Sequence, residues 1–306
     1  MEFTTEDLLE QITGIRAFPE DGAYNFRLDS QGAGRKVTEN IDIVTKTDRS
    51  GIDIYIKADT KKETVHIPVI ISQSGLQETV FNDFYIGDNA DVTIMAGCGI
   101  HNCGNGTSAH SGIHTFYVGK NAHVKYIEKH YGETESSGKN VMNPTTVVYI
   151  ADGGYMEMDT VQIKGVDDTT RKTTATLADN ATLVVYEKIM THNDQQAKTE
   201  FVVELNGENS GTHVVSRSVA KDNSYQLFLS NVKGNNKCSG HTECDAIVMD
   251  NAKVSAIPEI SANHIDASLI HEAAIGKIAG EQLTKLMTLG LTEKEAEEQI
   301  INGFLK

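Results

Sequence analysis

Three side chains in the C-terminal part of the chain carry the donor groups that bind soft or borderline metals. They are the thiol of Cys244 in ECDAIVM and the imidazole and carboxylate of His271 and Glu272 in LIHEAAIG. A small buried hydrophobe is the alternative interpretation of Cys244, because most free cysteines are of that kind. Adjacent residues of a strand point to opposite faces, so only a bend, a bulge or a second chain would bring His271 and Glu272 to one ion.

A second group of potential ligands lies in GCGIHNCGNGTSAHSGIHTF. Cys98, His101 and Cys103 fall within six positions there, and the glycines permit the backbone curvature that a metal loop needs. Cys238 and His241 combine a thiol and an imidazole again. The pairs Cys98/Cys103 and Cys238/Cys244 do not have the C-x-x-C spacing of zinc ribbons. A polar turn with incidental histidines is the alternative interpretation of the first segment. These five residues are the second choice for a metal or cluster site, after Cys244, His271 and Glu272.

Composition and charge exclude several classes of function. The 306 residues include 26 glycines, four prolines and no tryptophan, with short runs of Val, Ile and Thr, which is typical of a β-rich protein with many turns. A formal net charge of −16 argues against a nucleic-acid partner. The first residues, MEFTTEDLLEQ, lack the basic and apolar regions of a signal peptide, and no apolar run reaches membrane-spanning length. We therefore expect a cytoplasmic protein, whose four cysteines form no structural disulfides.

Known nucleotide-binding and hydrolase motifs are absent from the sequence. It has no HExxH, P-loop, GxGxxG or GxSxG, so we expect no nucleotide bound by this chain and no enzyme activity of its own. A metal-dependent enzyme centred on Cys98, His101 and Cys103 is the alternative. A carbohydrate-active β-helix is disfavoured, since it usually needs aromatic platforms and a secretion signal.

A sequence repeat, called the refrain below, predicts the fold. GDNADVTI, GKNAHVKYI, ADGGYMEMDTVQI and ADNATLVVY follow one another at intervals of about 30 residues, and DNAKVSAI returns later. Each unit is a polar turn followed by an alternating strand, which must stack on its neighbours to bury its apolar face. The pattern favours a mainly β protein with a parallel β-helix core over an antiparallel sandwich. The asparagines suit left-handed turn positions or side-chain ladders.

Shorter segments flank the predicted solenoid. Residues 1–79 should hold a helix capped by Thr4 or Thr5 and several strands, residues 80–262 the β-helix, and residues 263–306 two short helices. The first of these ends at Gly290, and a Thr292-x-x-Glu295 capping box begins the second. Such helices can cap the open end of a solenoid or dock a partner.

The stretches ECDAIVMDNAKVSAIPEI and DASLIHEAAIGKIAGEQLTKLMTLGLTEKEAEEQIINGF closely resemble the C-terminal part of the SufB and SufD proteins of the SUF iron–sulfur cluster assembly system. The resemblance covers roughly residues 80–306. It is specific in these two stretches and looser across the solenoid. It implies a β-helix core, C-terminal helices that bind the ATPase SufC, and a two-protomer scaffold. The implied cargo is iron and a transient iron–sulfur cluster, passed on to apo iron–sulfur proteins.

The resemblance also implies roles for single residues. Cys244 matches the SufB cysteine implicated in cluster assembly, Glu272 matches its glutamate, and His271 lies where SufD-type sequences have a functional histidine. SufB-like Cys and Glu in one chain suggest a homodimer, with a SufB/SufD-like heterodimer as the alternative. The chain is shorter than typical SufB, and GCGIHNCG is not part of the SufB motif. The helices from 281 to 304 match the SufC-docking segment, with these apolar residues as contacts: Leu283, Leu286, Met287, Leu291, Ile300 and Phe304.

Overall fold

The computed structural model of the protein describes residues 4–16 and 19–306; Met1 to Phe3, part of the acidic N-terminal segment, lie outside them. The described residues form three helices, α1 (Thr5–Thr13), α2 (Gly280–Thr288) and α3 (Glu293–Phe304). They also form 20 strands: β1 (Ala23–Leu28), β2 (Gln31–Lys36), β3 (Ile41–Thr45), β4 (Gly51–Ile56), β5 (Lys61–Ile71), β6 (Gln77–Ile86), β7 (Asp91–Asn102), β8 (Thr107–Val118), β9 (His123–Thr134), β10 (Lys139–Met142), β11 (Thr145–Ile150), β12 (Tyr155–Lys164), β13 (Asp168–Leu177), β14 (Thr182–Thr191), β15 (Gln196–Leu205), β16 (Ser210–Ala220), β17 (Tyr225–Gly234), β18 (Cys238–Val248), β19 (Lys253–Ala262) and β20 (Ser268–Gly276).

The strands coil into a β-solenoid of about eight turns, as the refrain predicts. One sheet runs β2-β1-β5-β7-β9-β12-β14-β16-β18-β20, and the other runs β19-β17-β15-β13-β10-β8-β6-β4-β3, with β11 beside β8 and β13. Neighbouring strands are parallel except for β1–β2 and β3–β4. Asn143 and Pro144 separate β10 from β11, and proline lacks the N–H that a continuous strand would need there.

Asparagines shape the turns between coils. Asn89, Asn121 and Asn180 of the refrain have φ values of 57°, 52° and 56°, in the left-handed region that asparagine tolerates better than most residues. Another set stacks side chain on side chain: Asn235 donates to Asn206, and Asn263 to Asn235, each at 2.7 Å. The left-handed turn is therefore confirmed for the asparagines of the refrain, while this ladder is formed by asparagines outside it.

The apolar core fills the space between the two sheets. Alternate residues of the central strands point inward, as in β14, where Leu183 and Val185 are fully buried. Phe84 and Phe116 stack in this interior with ring centroids 4.4 Å apart. Each coil thus covers the apolar face of the one before it, which is why a single repeat would not be stable.

Helix α1 is capped by Thr4, one of the two predicted caps, in a capping box with Asp7, and it packs on the outer face of β7. The close approach depends on Gly97 and Gly99. A Cβ atom at Gly99 would lie 2.5 Å from Leu8 Cγ, and one at Gly97 would lie 2.8 Å from Ile12 Cβ. These glycines therefore make room for a helix, which corrects the prediction that they curve a metal loop.

The C-terminal helices lie along the side of the solenoid. α3 has the predicted capping box of Thr292 and Glu295. Its Ile301, together with Leu305, packs in a cluster with Val219 of β16 and Ile247 of β18. The last coil stays uncovered among the described residues, since Ile260 and Ile275 on it are each 44% exposed. The C-terminal helices thus pack against the side of the solenoid and do not cap its open end.

Parallel strand pairing extends across both predicted domain boundaries. β1 pairs with β5 and β4 with β6, ahead of residue 80, and β18 pairs with β20 after residue 262. The division at residues 79 and 262 stays a prediction. Within residues 4–16 and 19–306, no helix combines the length and the apolar character needed to cross a membrane.

Candidate functional site

Cys244 lies on the inner face of β18, one strand from the open end of the solenoid. Its side chain is 1% exposed and belongs to the main apolar core. Burial, and next the negative charges of Glu187 and Asp245, raise the pKa of this thiol to about 12. Without a metal the residue is therefore a protonated thiol, and a ligand that takes its sulfur must displace the proton.

His271 is on the same inner face, on the last strand. β20 pairs with β18 so that His271 is opposite the buried Thr242 and Ala273 is opposite Cys244. Strands about 4.8 Å apart with a rise of about 3.3 Å per residue put the Cα atoms of Cys244 and His271 about 8 Å apart. Two side chains at that separation can reach one cluster from neighbouring strands.

The imidazole of His271 is available to a ligand. Both ring nitrogens are shielded from solvent, and neither has a hydrogen-bond partner among the described residues. Burial, and next the neighbouring His241, lower the pKa of His271, so the ring is neutral at neutral pH. Buried polar atoms normally have partners, and a neutral ring nitrogen is a metal ligand, so the residue fits a metal or cluster.

Glu272 points to the outer face, away from Cys244. Its carboxylate Oε2 lies 3.5 Å from Nε2 of His241, whose ring stacks on that of His213 with centroids 5.1 Å apart. The structure therefore brings Cys244 and His271 to one face and places Glu272 on the other. This separation is the one expected for adjacent residues of a regular strand.

The second group of sequence candidates is divided in the same way. Cys98 is buried inside the solenoid, and burial raises the pKa of its thiol well above 9. His101 points outward from the same strand, and Cys103 is exposed in the loop that follows. Cys238 is buried on the inner face of β18, while His241 is on its outer face. The proposed grouping of Cys98 with His101 and Cys103 is thus corrected, because strand alternation separates them.

A different residue joins His101 and Cys103. Glu135 follows β9, and its Oε1 lies 3.3 Å from Nε2 of His101, which is itself 3.5 Å from the sulfur of Cys103. Sequence reasoning missed Glu135 because it is 34 positions from His101. The signal that could have found it is the refrain, since its interval of about 30 residues is the offset between neighbouring coils.

A buried polar chain inside the solenoid was also missed. Arg171 Nη2 pairs with Glu128, and its Nε lies 3.4 Å from Oε1 of Glu187. The three side chains are at most 8% exposed. Burial alone would raise the pKa of Glu128, but the attraction of Arg171, and then of His130 and His114, outweighs it and lowers the pKa to about 2.

Hydrogen bonds extend this chain in both directions. Tyr126 OH donates to Glu128 at 2.9 Å, and His114 Nδ1 lies 2.8 Å from the same hydroxyl. On the other side Ser216 Oγ donates to Glu187 at 2.8 Å, and Ser216 is the register partner of Cys244. Polar groups thus continue through the core from the middle of the solenoid to the position beside Cys244.

Comparison with known proteins gives a consistent result. A family model described as the SufBD core domain of SUF system FeS cluster assembly matches residues 72–304. An iron–sulfur cluster assembly SufBD family protein of Methanocaldococcus jannaschii is 29% identical over 255 residues, which are 82% of this chain and 79% of the relative.

Two further proteins of the same description are 28% identical to the chain. The matches cover 78% of this chain and 57% of the relative from Methanothermobacter thermautotrophicus. They cover 75% of this chain and 61% of the relative from Archaeoglobus fulgidus. The chain therefore spans about three fifths of the length of these two relatives.

Proposed function

Because the chain belongs to the SufBD family of the SUF iron–sulfur cluster assembly system, we propose that it is a scaffold on which a nascent iron–sulfur cluster is built and from which it is passed on. The observation that carries the proposal is the shared inner face of Cys244 and His271 at the open end, with both ring nitrogens of His271 unpartnered among the described residues. The cluster is cargo of the scaffold.

A mixed set of thiolate, imidazole and carboxylate ligands suits a cluster that is passed on to another protein. Four thiolates form a closed shell around a resident cluster, whereas one thiolate with imidazole and carboxylate ligands is exchangeable. Ala273, opposite Cys244 on the last strand, is exposed and small. Little beyond the β20 backbone therefore separates the thiol from the open end.

A second protomer at the open end would complete the site. β19 and β20 end their sheets and have one neighbouring strand each among the described strands. Unpaired strand edges are templates for another chain, and Ile260 and Ile275 offer apolar surface beside them. A partner there would also bring the Cys244, His271 and Glu272 of a second protomer to the same junction.

Anaerobic reconstitution with iron and sulfide tests the cluster site. Absorption and Mössbauer spectra should show a cluster in the wild type and a loss of most of it in Cys244→Ser and His271→Ala. Cys238→Ser is the matched control, because Cys238 is a buried inward thiol of the same strand. If Cys244→Ser assembles a cluster as well as the wild type while Cys103→Ser does not, the site has been assigned to the wrong end of the molecule.

Sedimentation velocity tests the second protomer. The wild type should sediment as a dimer, and Ile275→Lys as a monomer, because a charge in the apolar contact is costly to bury. Ile163→Lys is the control, since Ile163 is similarly exposed, at 37%, on β12. A monomeric wild type, or a dimer that Ile275→Lys leaves intact, would contradict the arrangement.

The proposed ATPase partner is a SufC-type protein bound by α2. Leu283, Ile300 and Phe304 already pack on the solenoid, which leaves the exposed Met287, together with Leu286 and Leu291, for a partner. Met287→Asp should abolish co-purification with the ATPase, whereas Gln282→Asp, an exposed change on the same helix, should not. Undiminished binding by Met287→Asp would remove α2 from the interface.

A further inference from the structure

We propose that His101, Cys103 and Glu135 form a solvent-accessible site for one divalent first-row transition metal ion, separate from the cluster site at the open end. The ligand atoms of the three side chains lie within 4.8 Å of one another, the one such group among the described residues. They supply an imidazole nitrogen, a thiol sulfur and a carboxylate oxygen, which together favour Zn²⁺ or Fe²⁺ over Mg²⁺ or Ca²⁺.

The separations agree with one tetrahedral ion. With metal bonds of about 2.3 Å to sulfur and about 2.1 Å to nitrogen and oxygen, tetrahedral ligands lie about 3.6 Å apart for a sulfur–nitrogen pair and about 3.4 Å for a nitrogen–oxygen pair. His101 Nε2 is 3.5 Å from Cys103 Sγ and 3.3 Å from Glu135 Oε1. The two pairs that include His101 therefore already have tetrahedral spacing, and the sulfur and the carboxylate oxygen lie within 4.8 Å of each other.

The backbone around the three residues is fixed by neighbouring coils. The amide of Glu135 donates to the carbonyl of Asn102 at 3.2 Å, which ties the end of β9 to the end of β7. The buried amide side chain of Asn102 accepts from Gly104 N at 3.2 Å and donates to Gly106 O at 2.8 Å, and so holds the loop that carries Cys103. Ligands supported in this way are pre-organised.

The charges also favour a cation. A bound cation would neutralise both the thiolate and the carboxylate. Three protein ligands with solvent access leave one coordination position open, so the metal would be exchangeable.

Cobalt titration of the full-length, reduced and chelator-treated protein tests the proposal. One equivalent of Co²⁺ should produce a thiolate-to-cobalt charge-transfer band, and Zn²⁺, which gives no such band, should displace it. Cys103→Ser should abolish the band. Glu135→Gln should weaken Co²⁺ binding by about tenfold or more, since even loss of an outer-shell partner costs that much.

Two controls separate this site from other metal contacts. His123→Asn changes an exposed histidine whose Nδ1 lies 3.7 Å from Asp91 and which has no cysteine beside it, so it should leave the titration unchanged. Cys244→Ser should keep the band while losing cluster assembly. The proposal is overturned if the wild type shows no band, if the band survives Cys103→Ser, or if Cys244→Ser also abolishes it.

Discussion

Replacement of Arg171 by methionine should strongly destabilise the solenoid, because it removes the cation between two buried carboxylates. Arg171 and Glu128 are 7% and 4% exposed, so water cannot replace the lost charge. Burial raises the pKa of Glu128, yet the net effect of Arg171 and the histidines lowers it from 4.5 to about 2. That fall corresponds to about 3 kcal/mol of carboxylate stabilisation, and breaking a buried pair costs about 3–5 kcal/mol.

Urea unfolding at pH 7, followed by circular dichroism, measures this loss. Arg171→Met should lower the free energy of unfolding by about 3–5 kcal/mol, and the double variant Glu128→Gln/Arg171→Met should recover at least half of it, since no unpaired charge is left at Glu128. Lys164→Met is the matched control. Lys164 pairs with Glu133 at 2.8 Å on the surface, and loss of such a pair costs less than about 1 kcal/mol.

The reasoning is refuted by either of two results. One is a loss below about 1 kcal/mol in Arg171→Met, the level of a surface pair. The other is a double variant that is less stable than Arg171→Met alone, because the glutamine would then remove a contact that does not depend on charge.

Three other predictions follow from the interior, the turns and the N-terminal helix. Burial lowers the pKa of His114 and His130 to about 4, so both rings are neutral in the folded protein but take up protons below pH 6.5 when it unfolds. Their contribution to stability should therefore be constant above pH 7 and fall by about 3 kcal/mol for each ring by pH 4. The contribution of Glu128 to stability should be lost between pH 4.5 and about 2. Urea midpoints that do not change between pH 7 and 5 would contradict the neutral state of the two histidines. Asn180→Ala should cost about 1 kcal/mol because alanine is strained at a φ of 56°, while Asn180→Gly should be close to neutral in the same denaturation assay. Gly97→Val should cost about 1–3 kcal/mol by overpacking against Ile12 and should speed hydrogen exchange in α1, whereas unchanged exchange would show that the helix does not depend on this contact.

Local sequence patterns were sufficient for the architecture. The repeated turn and alternating strand indicate coils that stack, and left-handed asparagines such as Asn89 and Asn180 are where the refrain places them. The capping boxes at Thr4 and Thr292 locate α1 and α3. These signals are local because turn conformation and helix capping depend on residues only a few positions apart.

Strand alternation likewise anticipated part of the candidate site. Adjacent His271 and Glu272 had to face opposite ways in a strand, and they do in β20. The same rule would have separated Cys98 from His101, three positions apart, had the segment been interpreted as strand and not as a curved loop.

Only the tertiary structure decided which distant residues meet. Arg171 reaches Glu128 across 43 positions, and Glu135 meets His101 across 34. In the sequence, charged residues of a strand indicate a solvent-facing side, and nothing local distinguishes Arg171 from an exposed arginine. Its burial depends on the register that stacks one coil on another and on carboxylates supplied by other strands. The sequence by itself therefore determined the coil and its turns, while the stacking of coils determined the buried charges, the partners of Cys103 and the end of the solenoid to which Cys244 and His271 belong.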